Sequence, residues 1–577
     1  MNVTASKPLF LTALALAAAG CSASSGGTGG GGGGGGGVAA GGGGGLGGGG
    51  TGGGGGLLDA GGGGGGGGSP GGIPQTCAEA LASQSYIGCE YWPTVTMNAS
   101  LYDGFSFAIA AANPTAAPAQ VTIEIGGQLV QTVTVAPGDL QTIPLPWVPA
   151  LLQTNLEPDS KLLQRVAYKV TSSVPITLYQ FNPLDFELSP PPFGCELSNG
   201  RCYSFTNDAS LLLPKSALRG EYYGIAYPTQ HYGASNPVTP QQWVNSPGFL
   251  SVTATEDGTS VEVTASGHIR AGIGVGAMSP GQTATFSLNA GDVLVLASGS
   301  PPDGETPAPG QPCVTQLNGS TTLRLCPTPP AYDVTGTRIK ATRPVSVLGG
   351  HSCTFVPYDT FACDHLEESV FPVESLGQDL VVTAPQAMAG ATSSTSRPDN
   401  MYVRILSAAN DNEVTFEPAV SPGFTLQAGE WREIGPIQGD FRVKGKNKLL
   451  VAQYMVGENY SGASAGGGDP ALSIAIPVEQ YRLEYTFLAP ASYTHNFVNV
   501  VTAPGATITI DGTPIPAASF TPIGSSGLGV ARHKITGGAH SITGTQNFGI
   551  VVYGYGSYTS YMYPGGLNLE TIVIVPE

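Results

Sequence analysis

His351, Cys353, Cys363 and His365, with Asp364, Glu367 and Glu368 beside them, make the densest run of potential metal ligands in the chain. Thiolates and imidazoles at short spacing are what a tetrahedral zinc site uses. In an oxidising compartment the two cysteines would instead bond to each other, leaving two histidines and some carboxylates on a disulfide loop. The disulfide is the expected arrangement, with His351 and His365 kept as the alternative metal pair and no cofactor required. Gly462-Ala463-Ser464-Ala465-Gly466 matches a nucleophile elbow letter for letter. That elbow needs a strand running straight into a helix, whereas Gly467-Gly468-Asp469-Pro470 follows, so a loop is expected and no catalytic residue is assigned. A hydrolase whose triad is scattered through the sequence remains a minor reading, since such triads are defined by geometry. Tyr553, Tyr555, Tyr558, Tyr561 and Tyr563 crowd the C-terminal end, where alternate tyrosines either pave a sheet or present a ligand surface. Glu256-Asp257 and Asp411 lack the spacing of a calcium loop and read as solvated turns.

The elements that would carry these residues begin with an export signal. Lys7 gives a thin basic start, Leu9 to Ala19 an apolar stretch, and Gly20-Cys21 a processing site. Ala18-Ala19-Gly20-Cys21 resembles a bacterial lipobox, which implies cleavage after Gly20 and a lipid on Cys21. An ordinary secretory cleavage near Ala19 is the alternative. From Gly26 to Gly72 the chain is nearly all glycine. Glycine loses the most backbone entropy on ordering and offers nothing to bury, so this tract is expected to be a disordered tether with a reach of roughly 35–40 Å. A tether is useful when one end is fixed, and acyl chains on Cys21 would fix it to a membrane.

The remaining ~500 residues are long enough for several domains. With 86 glycines, 47 prolines and 23 tyrosines but few charges, the composition is that of strands and tight turns. The net charge of −18 excludes nucleic acid as a partner. Beyond Cys21, eight cysteines fall into neighbouring couples, and the expected disulfides are Cys77 with Cys89, Cys195 with Cys202, Cys313 with Cys326, and Cys353 with Cys363.

One pattern of strands and turns recurs four times. Val121-Thr122-Ile123-Glu124-Ile125 alternates as a half-buried antiparallel strand does, and Val261 to Thr264, Val414 to Phe416 and Thr507 to Ile510 sit at matching places. Each of the first three is followed by a turn, Ala136-Pro137-Gly138-Asp139, Asn289-Ala290-Gly291-Asp292 or Gln427-Ala428-Gly429-Glu430, with Gly524 to Gly527 in the fourth. Each unit ends on an apolar run such as Val174 to Tyr179 or Gln546 to Val551. The expected fold is all-β: four tandem antiparallel β-sandwich-like repeats over 77–200, 201–370, 371–470 and 471–577, after a signal at 1–20 and a lipidated linker at 21–76. A propeller-like arrangement of the same sheets is the alternative.

Gly349-Gly350-His351-Ser352-Cys353 with Cys363-Asp364-His365-Leu366-Glu367-Glu368, then Gly468-Asp469-Pro470-Ala471, Pro477-Val478-Glu479-Gln480-Tyr481-Arg482 and Tyr553-Gly554-Tyr555-Gly556-Ser557-Tyr558, resemble the N-terminal domain family of IgGFc-binding proteins. The resemblance runs from about Tyr86 to Leu567 and implies an extracellular recognition module, without fixing its binding residues. The expected function is therefore recognition of extracellular protein or glycan partners by a lipid-anchored protein of the outer membrane or cell surface, and not catalysis. Self-association into an envelope or matrix scaffold is the alternative.

Overall fold

Alternation at Ala119–Ile125 puts Ala119, Val121 and Ile123 in the interior and Gln120 outside, and most strands follow that rule on at least one face. The computed structural model describes residues 72–574, except 100, 103, 193–194, 196–200, 304–311, 362, 389–396, 462–466 and 494. Cys21, the glycine tract up to residue 71 and Ser464 lie outside the described residues. Strand makes up 52% and helix 6%, so the fold is all-β.

Four long strands organise it: Tyr168–Phe181, Arg338–Thr354, Phe441–Met455 and Gly538–Gly556. Each pairs with one set of neighbours along its N-terminal half and with another along its C-terminal half. In the first, the N-terminal half pairs with Gly88–Tyr91 and Ala119–Ile125, while the C-terminal half pairs with Phe107–Ala112 and Ala209–Leu212. The other three long strands have the same four kinds of neighbour in the same chain order. A strand that changes partners midway needs a local break in its ladder. Pro175, Pro344, Gly445 and Gly544 stand at the breaks, residues that either lack an N–H or tolerate a bend.

Opposite each break the first strand of the unit carries a bulge, between Gly88 and Glu90, Arg219 and Glu221, Gly377 and Asp379, and Arg482 and Glu484. A tyrosine locks three of the four. The Tyr91 hydroxyl accepts from Gly88 N and donates to Ile176 O; Tyr222 does the same for Arg219 and Val345, and Tyr485 for Arg482 and Phe548. In the third unit Leu380 holds that place and is buried instead.

The units close into a ring. Their last strands, Ala209–Leu212, Asp364–Ser369, Leu472–Ile474 and Thr559–Pro564, are neighbours in that cyclic order and are here termed axial strands. The sandwich-like units thus assemble in the cyclic manner of the alternative reading. By pairing, Ala209–Leu212 completes the sheet of the first long strand and Leu472–Ile474 that of the third, although both follow the sequence intervals 77–200 and 371–470.

Neighbouring units are also fastened directly. Ser160–Leu163 leaves the first unit to pair with Val293–Val295 and Gly272–Ile273 of the second. Arg404 of the third unit is 2% exposed and bonds Ala226 O, Asp333 and Thr335 of the second as well as Glu433 of its own. Its guanidinium lies 4.4 Å from the Tyr227 ring centre and 4.3 Å from that of Trp431. Tyr179 of the first unit directs its one hydroxyl proton between Thr486 O and Gly565 O of the fourth. At the seam, Ser85 bridges Asn568, Tyr86 N donates to Leu567 O and Leu569 N to Gln84 O.

All four expected disulfides are formed, each within a stretch of 7 to 13 residues. The second unit carries an additional four-stranded sheet, ordered Gln242–Ser246, Gln230–Ser235, Thr321–Cys326 and Val314–Asn318, with Cys313–Cys326 at one corner.

Candidate functional site

The axis is where the repeated register brings chemistry together. Phe181, Gly350, Tyr454 and Tyr553 of the long strands face Ala209, Glu367, Leu472 and Met562 of the axial strands. The backbone N–H groups of these four axial residues all donate to one carboxylate, that of Asp208. Ala209 and Met562 reach Oδ1 at 2.9 and 3.3 Å, and Glu367 and Leu472 reach Oδ2, both at 3.0 Å. Each unit supplies one donor. Burial pushes the Asp208 carboxyl well above the ordinary carboxylate range, and the four N–H bonds oppose that push by favouring its charged form.

The residues of the densest ligand run surround this point, but they do not face solvent. Asp364, His365, Glu367 and Glu368 are all buried on the second axial strand. Glu367 accepts from Thr96 Oγ1 at 2.5 Å, Gln180 Nε2 at 2.8 Å and Ser210 Oγ at 3.1 Å, and His365 Nε2 stands 3.6 Å from its Oε2. This polar network joins the first and second units. It has the side chains of acid–base chemistry, and among the described residues they are sealed from solvent.

His351 lies apart from His365 in role. Its Nδ1 accepts from Cys353 N at 3.0 Å and its Nε2 faces Pro228 O at 3.1 Å, so a neutral ring with the proton on Nε2 satisfies both. Neither nitrogen keeps a lone pair for a metal. Among the described residues no group of three His, Cys, Asp or Glu is arranged to hold one. Burial lowers the His351 pKa to about 3. An NMR titration should therefore show one imidazole that stays neutral down to about pH 3; a His351 titrating near 6.5 would contradict the sealed site.

The C-terminal tyrosines are mostly interior. Tyr553, Tyr555, Tyr561 and Tyr563 are at most 2% exposed, which corrects the ligand-surface alternative for these four. Their hydroxyls donate to Asn499 Oδ1, Gln386 O, Asn496 Oδ1 and Leu488 O. The acidic turns are occupied as turns. Glu256 pairs with Arg343 and Lys215, Asp257 accepts from Ala290 N, and Asp411 accepts from Gln427 Nε2.

Among the described residues the outer surface has a cleft of about 290 Å³ between the first and second units. Trp92, Glu124, Arg165, Lys169, Asp257 and Gly291 help line it, and Lys169 Nζ lies 5.7 Å from the Trp92 ring centre. Two cations, two anions and an aromatic side would suit a polar group rather than an apolar one. Sequence reasoning missed both this cleft and Asp208. Repeated Gly-x-Glu-Tyr and Arg-x-Glu-Tyr at Gly88–Tyr91, Arg219–Tyr222 and Arg482–Tyr485 were a readable signal for the bulged strands, and through them for the register at the axis.

A family model described as IgGFc binding protein matches residues 208–554. No curated protein matches the chain.

Proposed function

Since the chain belongs to the IgGFc-binding protein family, we propose that it is a cell-surface lipoprotein whose β body recognises extracellular protein or glycan partners non-covalently. Family membership carries this reading, because the family is named for binding. The four disulfides accord with folding in an oxidising compartment. A lipid on Cys21 of an outer membrane and a glycine tether would hold the body away from the lipid surface while leaving it free to turn toward partners. We read the intervals 77–200, 201–370, 371–470 and 471–577 as four copies of one module. The polar cleft beside Trp92 offers a place suited to a glycan hydroxyl or a charged side chain.

Protease treatment of intact cells, comparing the wild type with Cys21→Ala, tests the placement on which the reading depends. Peptides from the β body should be released from wild-type cells, and the variant body should be lost to the medium. Complete protection of the wild-type body would put it inside the envelope, where a scaffold role would replace recognition of external partners.

A further inference from the structure

Register also makes the residues three before the four axial donors equivalent: Thr206, Asp364, Asp469 and Thr559. Two of the four units thus bring an aspartate to the same level of the ring. Both are sealed from solvent, at 0% and 1% exposure. Ser560 stands between them, its N–H donating to Asp364 Oδ2 at 3.3 Å and its Oγ accepting from Asp469 N at 2.9 Å. Asp364 Oδ1 accepts in addition from His365 N at 2.7 Å. Among the described residues neither oxygen of Asp469 has a partner at hydrogen-bond geometry, and the Glu458 backbone N–H acts only to oppose the effect of its burial.

The groups facing this pair from the surrounding elements are mostly acidic or neutral. Asp208 precedes the first axial strand, while His365, Glu367 and Glu368 lie on the second. Glu458 comes from the short helix Glu458–Ser461, and Tyr493 from the loop before His495–Thr502. Among the described residues no lysine or arginine forms an ion pair with Asp208, Asp364 or Asp469. Two neighbouring carboxylates without a cation cannot both ionise cheaply in such a place.

We propose that Asp364 and Asp469 hold one carboxylic-acid proton at the axis, seated on Asp469, and that this proton lets the second and third units close on each other there. Donors decide the seat. Among the described residues Asp208 receives four N–H bonds at hydrogen-bond geometry, Asp364 two and Asp469 none, so the charged form is best supported on Asp208 and least on Asp469. Burial raises both carboxyls well above the ordinary range, and like-charged neighbours add to the push, Glu458 on Asp469 and Asp208 on Asp364.

The sign follows from linkage. A carboxyl whose folded pKa is raised keeps a proton that the unfolded chain gives up above about pH 4. Its stabilising effect is complete below that value and is lost as pH rises toward the folded pKa. The ring axis is therefore tightened by acid and loosened by alkali. His351 acts in the opposite sense, since its lowered pKa makes the folded state resist protonation below about pH 6.5. The wild-type profile contains both, so the difference between variants is the decisive quantity.

Thermal unfolding of the full chain and of Asp469→Asn should be followed from pH 4 to pH 9. The two should match near pH 4, and the variant should gain as pH rises, by up to about tenfold in folded-to-unfolded ratio per pH unit. A constant deficit of Asp469→Asn at every pH would overturn the proposal, as would calcium raising the wild-type melting point but not the variant's. If Asp469→Asn fails to fold, infrared spectra of the wild type and Asp364→Asn answer the same question. The wild type should keep a protonated-carboxyl stretch at pH 7 whose titration moves to lower pH in Asp364→Asn; no such band, or an unmoved titration, would overturn it.

Discussion

Asp208→Ala is expected to abolish cooperative folding of the β body. The substitution removes the acceptor of Ala209 N, Glu367 N, Leu472 N and Met562 N at once. A buried donor left without a partner costs about 1–3 kcal/mol. Four such donors reach on the order of 4–12 kcal/mol, comparable with the whole stability of a typical domain. Asp208→Asn should be intermediate, because its amide keeps one acceptor oxygen and turns an NH2 toward two donors. Urea unfolding followed by tyrosine fluorescence would measure both. An Asp208→Ala protein that melts within a few degrees of the wild type would show that the four units are held at the axis by something other than this carboxylate.

Arg404→Ala should lower stability by about 3–5 kcal/mol, through a different mechanism. Asp333, at 2% exposure, loses the guanidinium that lies 2.7 Å from it and remains as a buried charge. Burial alone would lower the Arg404 pKa, but Asp333, Tyr454 and Glu433 outweigh it and raise it, so the arginine is charged at any accessible pH. Lysine cannot serve in its place, since one ammonium cannot reach Glu433, Asp333, Thr335 and Ala226 O while lying flat between Tyr227 and Trp431. Adding Asp333→Asn to Arg404→Met should recover a large part of the loss. Equal destabilisation by single and double variants in denaturant titrations would mean that packing between the rings, not the charge pair, carries the second-to-third contact.

How much of this was legible in the sequence depends on whether the signal was local. The disulfides were, because each joins cysteines 7 to 13 residues apart. Turns such as Asn289-Ala290-Gly291-Asp292 and Gln427-Ala428-Gly429-Glu430 were too, since Gly291 and Gly429 have φ of 84° and 81°, a region open to glycine. Alternation found Ala119–Ile125 and its three counterparts. It did not find Gly88–Tyr91 as a strand, because a bulge at Cys89 interrupts the period of two. Nor did it show that an apolar run such as Val174 to Tyr179 belongs to a strand of 14 residues serving two sets of neighbours. The axis was illegible for a stronger reason. Asp208 meets donors as far away as Met562, and nothing in the residues near either one encodes the meeting.

The seam between Tyr86 and Leu567 sets this body apart from an open string of modules. In a string, each module needs only its neighbours, and one can be lost or duplicated at little cost to the rest. Here the first and last units are each other's neighbours, so the angle each unit subtends must sum to a full turn, and a fifth copy would have nowhere to pair. The closing contact spans most of the chain, so it forms only after nearly all the chain is present, and folding should be slow in the way of topologies with high contact order. During export from N-terminus to C-terminus the early units would wait with exposed seams, and the last strands to arrive would complete all of them together.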